Sequence, residues 1–346
     1  MLAPLFRALL ISALAVTPAA AVIVAGASGG GNTSHNTTSA QFLSEYGFEA
    51  PVIDNIIAYS DASAVYLGYN PATADVWVLT ARHVTSNASA GATVIIDGLT
   101  YQRQADGADG FGLLPGGDLR LVRYRHDDLA VPSLPAVEIA TTMPIAGAGL
   151  LMAGFGQNRT QNATTGAFTS DASAFTVGTG YNWSGTRLLR WGTNAVESEF
   201  LNALESGAAV SGTTGTFSMG SYTTSGFMTD FDQPGIGQWL SANESQGSLG
   251  DSGGGAFTYD GSRWYLAGIF SAVVGFQNQP SSTSAFGNLS LLTNVASYSA
   301  SIDSALGGAT LIPEPSSLMM AAATGGACLL RRRRFTNKES NRQDRA

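Results

Sequence analysis

The chain has 346 residues with a net charge of −8, long enough for a sizeable core in one large or two small domains. Residues 22–312 carry nine arginines, no lysine and 22 acids, so no basic face is available for phosphate backbones and nucleic acid is excluded as a natural partner. Abundant Gly, Ser, Thr and Ala, low charge and short β-favouring runs between turn signals point to an all-β exported body rather than a helical or α/β one.

Residues 1–21 read as an export signal. Arg7 supplies the positive start, Ala8 to Val16 the apolar stretch, and Ala19-Ala20-Ala21 a small-residue cleavage site. The stretch is too short to span a bilayer. Residues 22–50 form a lead-in, and the small polar run from Ala25 to Ala40 has the composition of a flexible linker. From about Val52 short apolar runs take over: Ile56 to Tyr59, Ala64 to Leu67 and Val76 to Leu79. Turn signals separate them, so each is predicted as a strand.

Val78-Leu79-Thr80-Ala81-Arg82-His83-Val84 places a histidine just past a predicted strand end. A lone histidine is more often a satisfied surface or core residue, but this heptad resembles the V-L-T-A-A-H segment that carries the catalytic histidine of trypsin-like serine proteases. Arg82 replaces the usual alanine, and Val84 stands where many members have a cysteine. The one cysteine, Cys328, lies in the C-terminal tail. The body therefore has no disulfide and relies on packing.

Thr93 to Ile96 continues as a strand. Next, Gly116-Gly117-Asp118-Leu119-Arg120-Leu121-Val122-Arg123 puts an acid at the head of an alternating apolar run. It resembles the D-I-x-L segment of the same family's triad aspartate. Asp128, ahead of Leu129-Ala130-Val131, is the rival, with little room for a strand before Pro132. Gly154-Phe155-Gly156 resembles the G-W-G between the family's two barrels, which sets a domain boundary near residue 145. Residues 157–190, rich in Thr, Asn and Gly, read as long surface loops, and Leu189 to Asn194 as the start of the second barrel. Asp230-Phe231-Asp232-Gln233-Pro234 puts two carboxylates at a predicted loop tip, a pattern that suits a solvated turn or a calcium site.

Gly250-Asp251-Ser252-Gly253-Gly254-Gly255 is the most informative stretch. Glycines around a serine permit a sharp bend and close approach of a carbonyl, and leave the amides of Gly250 and Ser252 to face a developing oxyanion. The pattern also fits the G-x-S-x-G elbow of α/β-hydrolases, yet that elbow needs a later histidine. The histidines are His35, His83 and His126, all upstream. Histidine, then acid, then serine is the order of the chymotrypsin-type triad. After the serine, Trp264 to Val274 reads as a buried strand. Val295, Tyr298, Ile302 and Ala305 share one face of a terminal helix that Gly307 stops.

The tail combines Pro313-Glu314-Pro315, an apolar run from Leu318 to Leu330, and Arg331 to Arg334. It resembles the PEP-CTERM sorting signal of bacteria, at residues 313–335 with a basic polar tail at 336–346. That implies transient anchoring, removal by an exosortase-like enzyme, and an address at the cell envelope or beyond.

Taken together, the resemblance to trypsin-like serine proteases implies an all-β fold of two antiparallel six-stranded β-barrels, chymotrypsin-like, with a C-terminal helix. The first barrel would occupy 51–145; the second, with the helix, 146–306. It implies a serine endopeptidase acting on protein or peptide substrates with His83, Asp118 and Ser252 as triad, Gly250 and Ser252 as oxyanion donors, and no cofactor. Asp251 becomes the acid that pairs with a freed apolar terminus. Ile23-Val24-Ala25-Gly26 resembles the family's I-V-G-G, without a basic residue before it, and signal removal after Ala21 would leave Val22 first. Ser271 takes the place of the strand serine that bonds the triad acid. Gln246 and Val273 take two pocket positions, which disfavours cleavage after Arg or Lys and favours small or medium apolar side chains. The competing reading is an inactive or esterase-like binding module on the same fold, separable by reaction with a serine-directed phosphonate.

Overall fold

The computed structural model describes residues 22–25, 39–85, 89–159, 164–169, 176–201, 209–211, 213–232, 243–276 and 279–306. The expected signal (1–21), sorting segment (313–335), tail, His35 and Gly307 lie outside the described residues.

The predicted runs at 56–59, 64–67 and 76–79 are strands Ile56–Tyr59, Ala62–Asn70 and Asp75–Thr80. They continue antiparallel through Leu119–Arg125 and Leu99–Arg103 to Thr93–Ile96, with Leu113–Gly116 paired onto the side of Leu119–Arg125. The first and last strands of this six-strand path come against each other, so the sheet curls almost closed. Strand alternation sorts its side chains onto two faces. Ile57, Tyr59, Ala64, Tyr66, Val76, Val78, Val122 and Tyr124 pack in one buried cluster. Ile56, Val65, Leu67, Trp77, Leu79, Leu119 and Leu121 pack in another.

The second sheet runs Arg190–Ala195, Gly149–Gly154, Gly255–Tyr259, Trp264–Val274, Leu289–Asn294, Tyr222–Asp230 and Gly215–Met219. It opens ahead of the Leu189–Asn194 stretch, because Glu138–Ile139 already pairs in parallel with Trp264–Val274. One of its faces has its own core of Leu150, Met152, Phe227, Ala256, Phe270 and Leu292. Leu151, Ala153, Trp191, Phe257, Leu266 and Ile269 join the second cluster of the first sheet. A single shared core thus cements two sheets, each side chain contributing about 1.5–3 kcal/mol of burial. No cross-link is required.

Two expectations are corrected. Residues 157–190 are not simply loops: Gln157–Arg159, Thr164–Thr169 and Thr176–Arg187 form an antiparallel sheet that Thr283–Ala285 extends. Threonine suits a pleated surface as well as a loop, and ladder partners decide. The lead-in contains a helix, Ser39–Tyr46, whose Phe42 is buried. Phe42 stacks on Tyr46 one turn later (centroids 4.5 Å apart) and meets Trp191 and Trp264 edge-on. At the other end a 3₁₀ turn, Val295–Tyr298, leads into the short helix Ser299–Ala305, with Val295 and Ile302 buried.

Candidate active site

Strand Asp75–Thr80 runs straight into the 3₁₀ turn Arg82–Thr85, which Thr85 Oγ1 ties by donating to the Arg82 carbonyl at 2.7 Å. His83 sits in that turn. Facing it is Asp118, wholly buried at the head of Leu119–Arg125. The turn before Asp118 uses Gly116 and Gly117, both at positive φ, and a Cβ on either would strike the Tyr298 ring.

Asp118 grips His83 twice. Oδ1 accepts the His83 amide at 2.9 Å and Oδ2 lies 2.8 Å from Nδ1. An ionised carboxylate there accepts from Nδ1–H, so Nε2 is left as the basic nitrogen. The rival Asp128 is exposed, in a turn where its amide donates to Nδ1 of His126. It makes no hydrogen bond or ion pair with His83.

The turn that carries Ser252 is held by its own backbone and by the opposite sheet. Asp251 N donates to Ser248 O, Gly254 N to Asp251 O and Gly253 N to Phe270 O. Gly250 and Gly253 take φ of 104° and 87°. The amides of Gly250 and Ser252 donate to no described residue. Those two donors are the ones an oxyanion needs.

Ser63, which the sequence did not single out, bridges to the first sheet. Its amide donates to Ser252 O (2.9 Å), its Oγ to Gly250 O (2.7 Å), and that Oγ accepts the Phe155 amide (2.7 Å). Thr80 Oγ1 donates to Ser63 O at 2.7 Å. The serine turn is thereby lashed to the strand end that delivers His83. A Cβ on Gly253 would collide with Ser63 O and Thr80 Oγ1, so the closeness itself demands glycine. The Ser252 hydroxyl and His83 are not hydrogen-bonded to each other here; such contacts are often long until substrate binds.

Beneath the turn, Asp251 is buried. Burial pushes its carboxyl up to about 6, against donors from the Ser248 amide and hydroxyl and the Gly156 and Val22 amides. Val22 N lies 3.4 Å from Oδ1. Val22, Ile23 and Val24 are buried, and Ile23–Val24 pairs with Ser245–Gln246.

A cavity of about 380 Å³ opens beside Ser252, between Gly247–Leu249 on one side and Phe270–Val273 on the other, with Trp183, Ser281 and Ser282 on its rim. Val273 is among its walls. Gln246 is not; it is buried in the pairing with Ile23. Ser271 lines the cavity, but its hydroxyl bonds Thr293 Oγ1 at 2.6 Å rather than Asp118, whose carboxylate oxygens both serve His83. Trp183, whose indole donates to Ser284 Oγ at 2.8 Å, comes from the hairpin read as loop.

Asp230 ends a strand instead of a loop tip, and Asp232 is buried. Near them burial, then the charge of Asp230, pushes the Glu197 carboxyl up to about 8. Among the described residues no three His, Cys, Asp or Glu side chains are grouped to hold a metal ion.

No protein-family model and no curated protein matches this sequence. Among solved structures the chain is similar to neuropsin, a serine protease expressed in the limbic system of mouse brain, at 17% identity over 73% of this chain and 94% of that one (TM-score 0.39). It is similar to a zinc complex of kallikrein-related peptidase 10 at 14% identity, over 74% and 96% of the two chains (TM-score 0.43). A mutant of human heparin binding protein (CAP37) is similar at 15% identity, over 77% and 97% (TM-score 0.42).

Proposed function

We propose that this chain is an exported serine endopeptidase. The observation that carries the reading is the pair of buried Asp118 and half-buried His83 beside a serine turn whose Gly250 and Ser252 amides donate to no described residue, all joined through Ser63. Ser252 Oγ attacks an acyl carbonyl while His83 Nε2 takes its proton. Asp118 holds the imidazole in register and stabilises the imidazolium. The amides of Gly250 and Ser252 hold the oxyanion as it forms. His83 then protonates the departing amine, and a water repeats the sequence on the acyl-enzyme.

The cavity beside Ser252 seats the side chain before the cut. Its walls of Phe270, Ala272, Val273 and Trp183 carry no free charge, since the Asp251 carboxylate is saturated by its own donors. Uncharged side chains suit it, and a cation does not. Signal removal after Ala21 would make Val22 the terminus; its position against Asp251 supports an ammonium there as the activating contact. The sorting segment at 313–335 would carry the protein to the envelope for exosortase-type processing.

The test is labelling with a peptidyl phosphonate, read by mass spectrometry, on wild type and Ser252→Ala. Modification of Ser252 with peptide hydrolysis is expected. An unlabelled wild type that cleaves no peptide in a broad library would leave only the binding-module reading.

A further inference from the structure

Arg187 ends the long strand Thr176–Arg187, opposite Gln157. Its guanidinium reaches across to the first sheet, where Nη1 donates to the backbone carbonyl of Asp61 and lies 3.4 Å from Asp61 Oδ1. The Asp61 side chain is 98% exposed, so that ion pair is screened and contributes little. The other flank of Arg187 touches the nucleophile turn: a Cβ on Gly250 would sit 3.2 Å from Arg187 Nε. Nε and Nη2 donate to no described residue. A cation is thus pinned by one nitrogen beside the candidate oxyanion site, with two coplanar donors uncommitted.

Its side of the site follows from geometry. The cavity for the acyl half is walled by Gly247–Leu249 and Phe270–Val273, and Arg187 has no part in it. Arg187 leans instead on Asp61, next to the strand Ala62–Asn70 and the sheet that bears His83. His83 protonates the departing amine, so the leaving half of the substrate lies on that side.

Resting on the protease reading, we propose that Arg187 is a specificity residue that receives a carboxylate on the leaving half of the substrate. The carboxylate is an Asp or Glu side chain, or a free C-terminal α-carboxylate, within about two residues of the cut. The planar fork of arginine accommodates such a group through two parallel N–H···O bonds. Asp61, held on Nη1, keeps the fork in place, and its exposed carboxylate beside the guanidinium disfavours a second one.

The experiment uses quenched peptides identical up to the cut and differing after it: Glu or Gln at the first and second positions, and chains ending there as free acid or amide. Wild type should show about a tenfold higher kcat/KM for carboxylate peptides. In Arg187→Gln the carboxylate-to-neutral ratio should collapse to about one, with Arg187→Lys between and Asp61→Asn raising it. Glu/Gln and acid/amide pairs separate the two carboxylate sources. Binding of the same peptides to Ser252→Ala is followed by fluorescence anisotropy. Cleavage and binding without a carboxylate preference, or a preference that survives Arg187→Gln, overturn the assignment and leave the protease reading standing. Carboxylate-selective binding that needs Arg187, without cleavage by wild type, overturns the protease reading alone.

Discussion

Ser63 shows how one hydroxyl sets the register between two sheets. Its Oγ donates to Gly250 O in a buried bond and accepts from Phe155 N in a partly buried one. Ser63→Ala should cost about 1–3 kcal/mol, the usual penalty for stranding buried polar groups. It should also lower kcat by about ten- to a hundredfold, because a small displacement of the turn misplaces Ser252 relative to His83. A denaturant midpoint and steady-state kinetics separate the two; an unchanged kcat would show that the bridge only adds stability. At the proposed triad, Ser252→Ala and His83→Ala should each remove several orders of magnitude of activity. Asp118→Asn should cost about ten-thousand-fold with folding intact, through loss of the Nδ1–H acceptor. Asp128→Asn is the control. If it, and not Asp118→Asn, abolishes activity, the two-point grip on His83 is not the catalytic one.

At the scale of elements, the two-residue strand Ile23–Val24 has consequences beyond its length. It fixes Val22 against a carboxyl that burial raises from 3.8 to about 6. A raised carboxyl binds its proton more tightly when folded, so stability is highest below about pH 4 and falls as pH rises to about 6, by roughly 3 kcal/mol. An ammonium at Val22 in place of an amide would pull the Asp251 carboxyl back down and remove that loss up to about pH 8, where the amine itself titrates. A protein beginning at Val22 should therefore unfold at a nearly constant urea midpoint from pH 5 to 7. One with an alanine added before Val22 should lose midpoint across that range, and activity with it. Superimposable pH profiles would reject the terminal ammonium.

The elements also show what a sequence can convey. Histidine, acid and serine were legible because each sits in a short run whose glycines, threonine and strand residues serve backbone geometry, which local sequence records. Ser63 was not, since it lies among Ala62, Ala64 and Val65 and differs from any strand serine only through partners 92 and 187 positions away. The hairpin at 157–187 reads as loop because threonine and glycine serve both states, and the strand that extends its sheet, Thr283–Ala285, lies a hundred residues on. The bond expected from Ser271 to the acid failed for a similar reason: Thr293, on the neighbouring strand, takes its hydroxyl first.

For the whole molecule the question is where the fold ends. The 3₁₀ turn and helix after Leu289–Asn294 connect the two sheets. Tyr298 packs against the Gly116–Gly117 turn that presents Asp118, and its hydroxyl accepts the Ser225 amide of the second sheet at 2.8 Å. Val295 and Ile302 sit in the shared core. All of these contacts are made within residues 22–306, and the one cysteine of the sequence, Cys328, lies beyond them. Ending the chain after Ile312 should therefore leave a soluble, active enzyme with unchanged thermal midpoint, insensitive to reductant, and released from the envelope. Ending it after Asn294 removes the buried Val295 and Ile302 and the Tyr298 clamp. That loss, about 2–5 kcal/mol for each large core side chain, is comparable to the whole stability of a domain. The shorter protein should unfold or aggregate, with Asp118 released from its turn and activity gone. Calorimetry and peptide hydrolysis on the two truncations decide the matter. Misfolding of the longer one would place residues 313–346 inside the fold, and full activity of the shorter one would show that the helix does not brace Asp118.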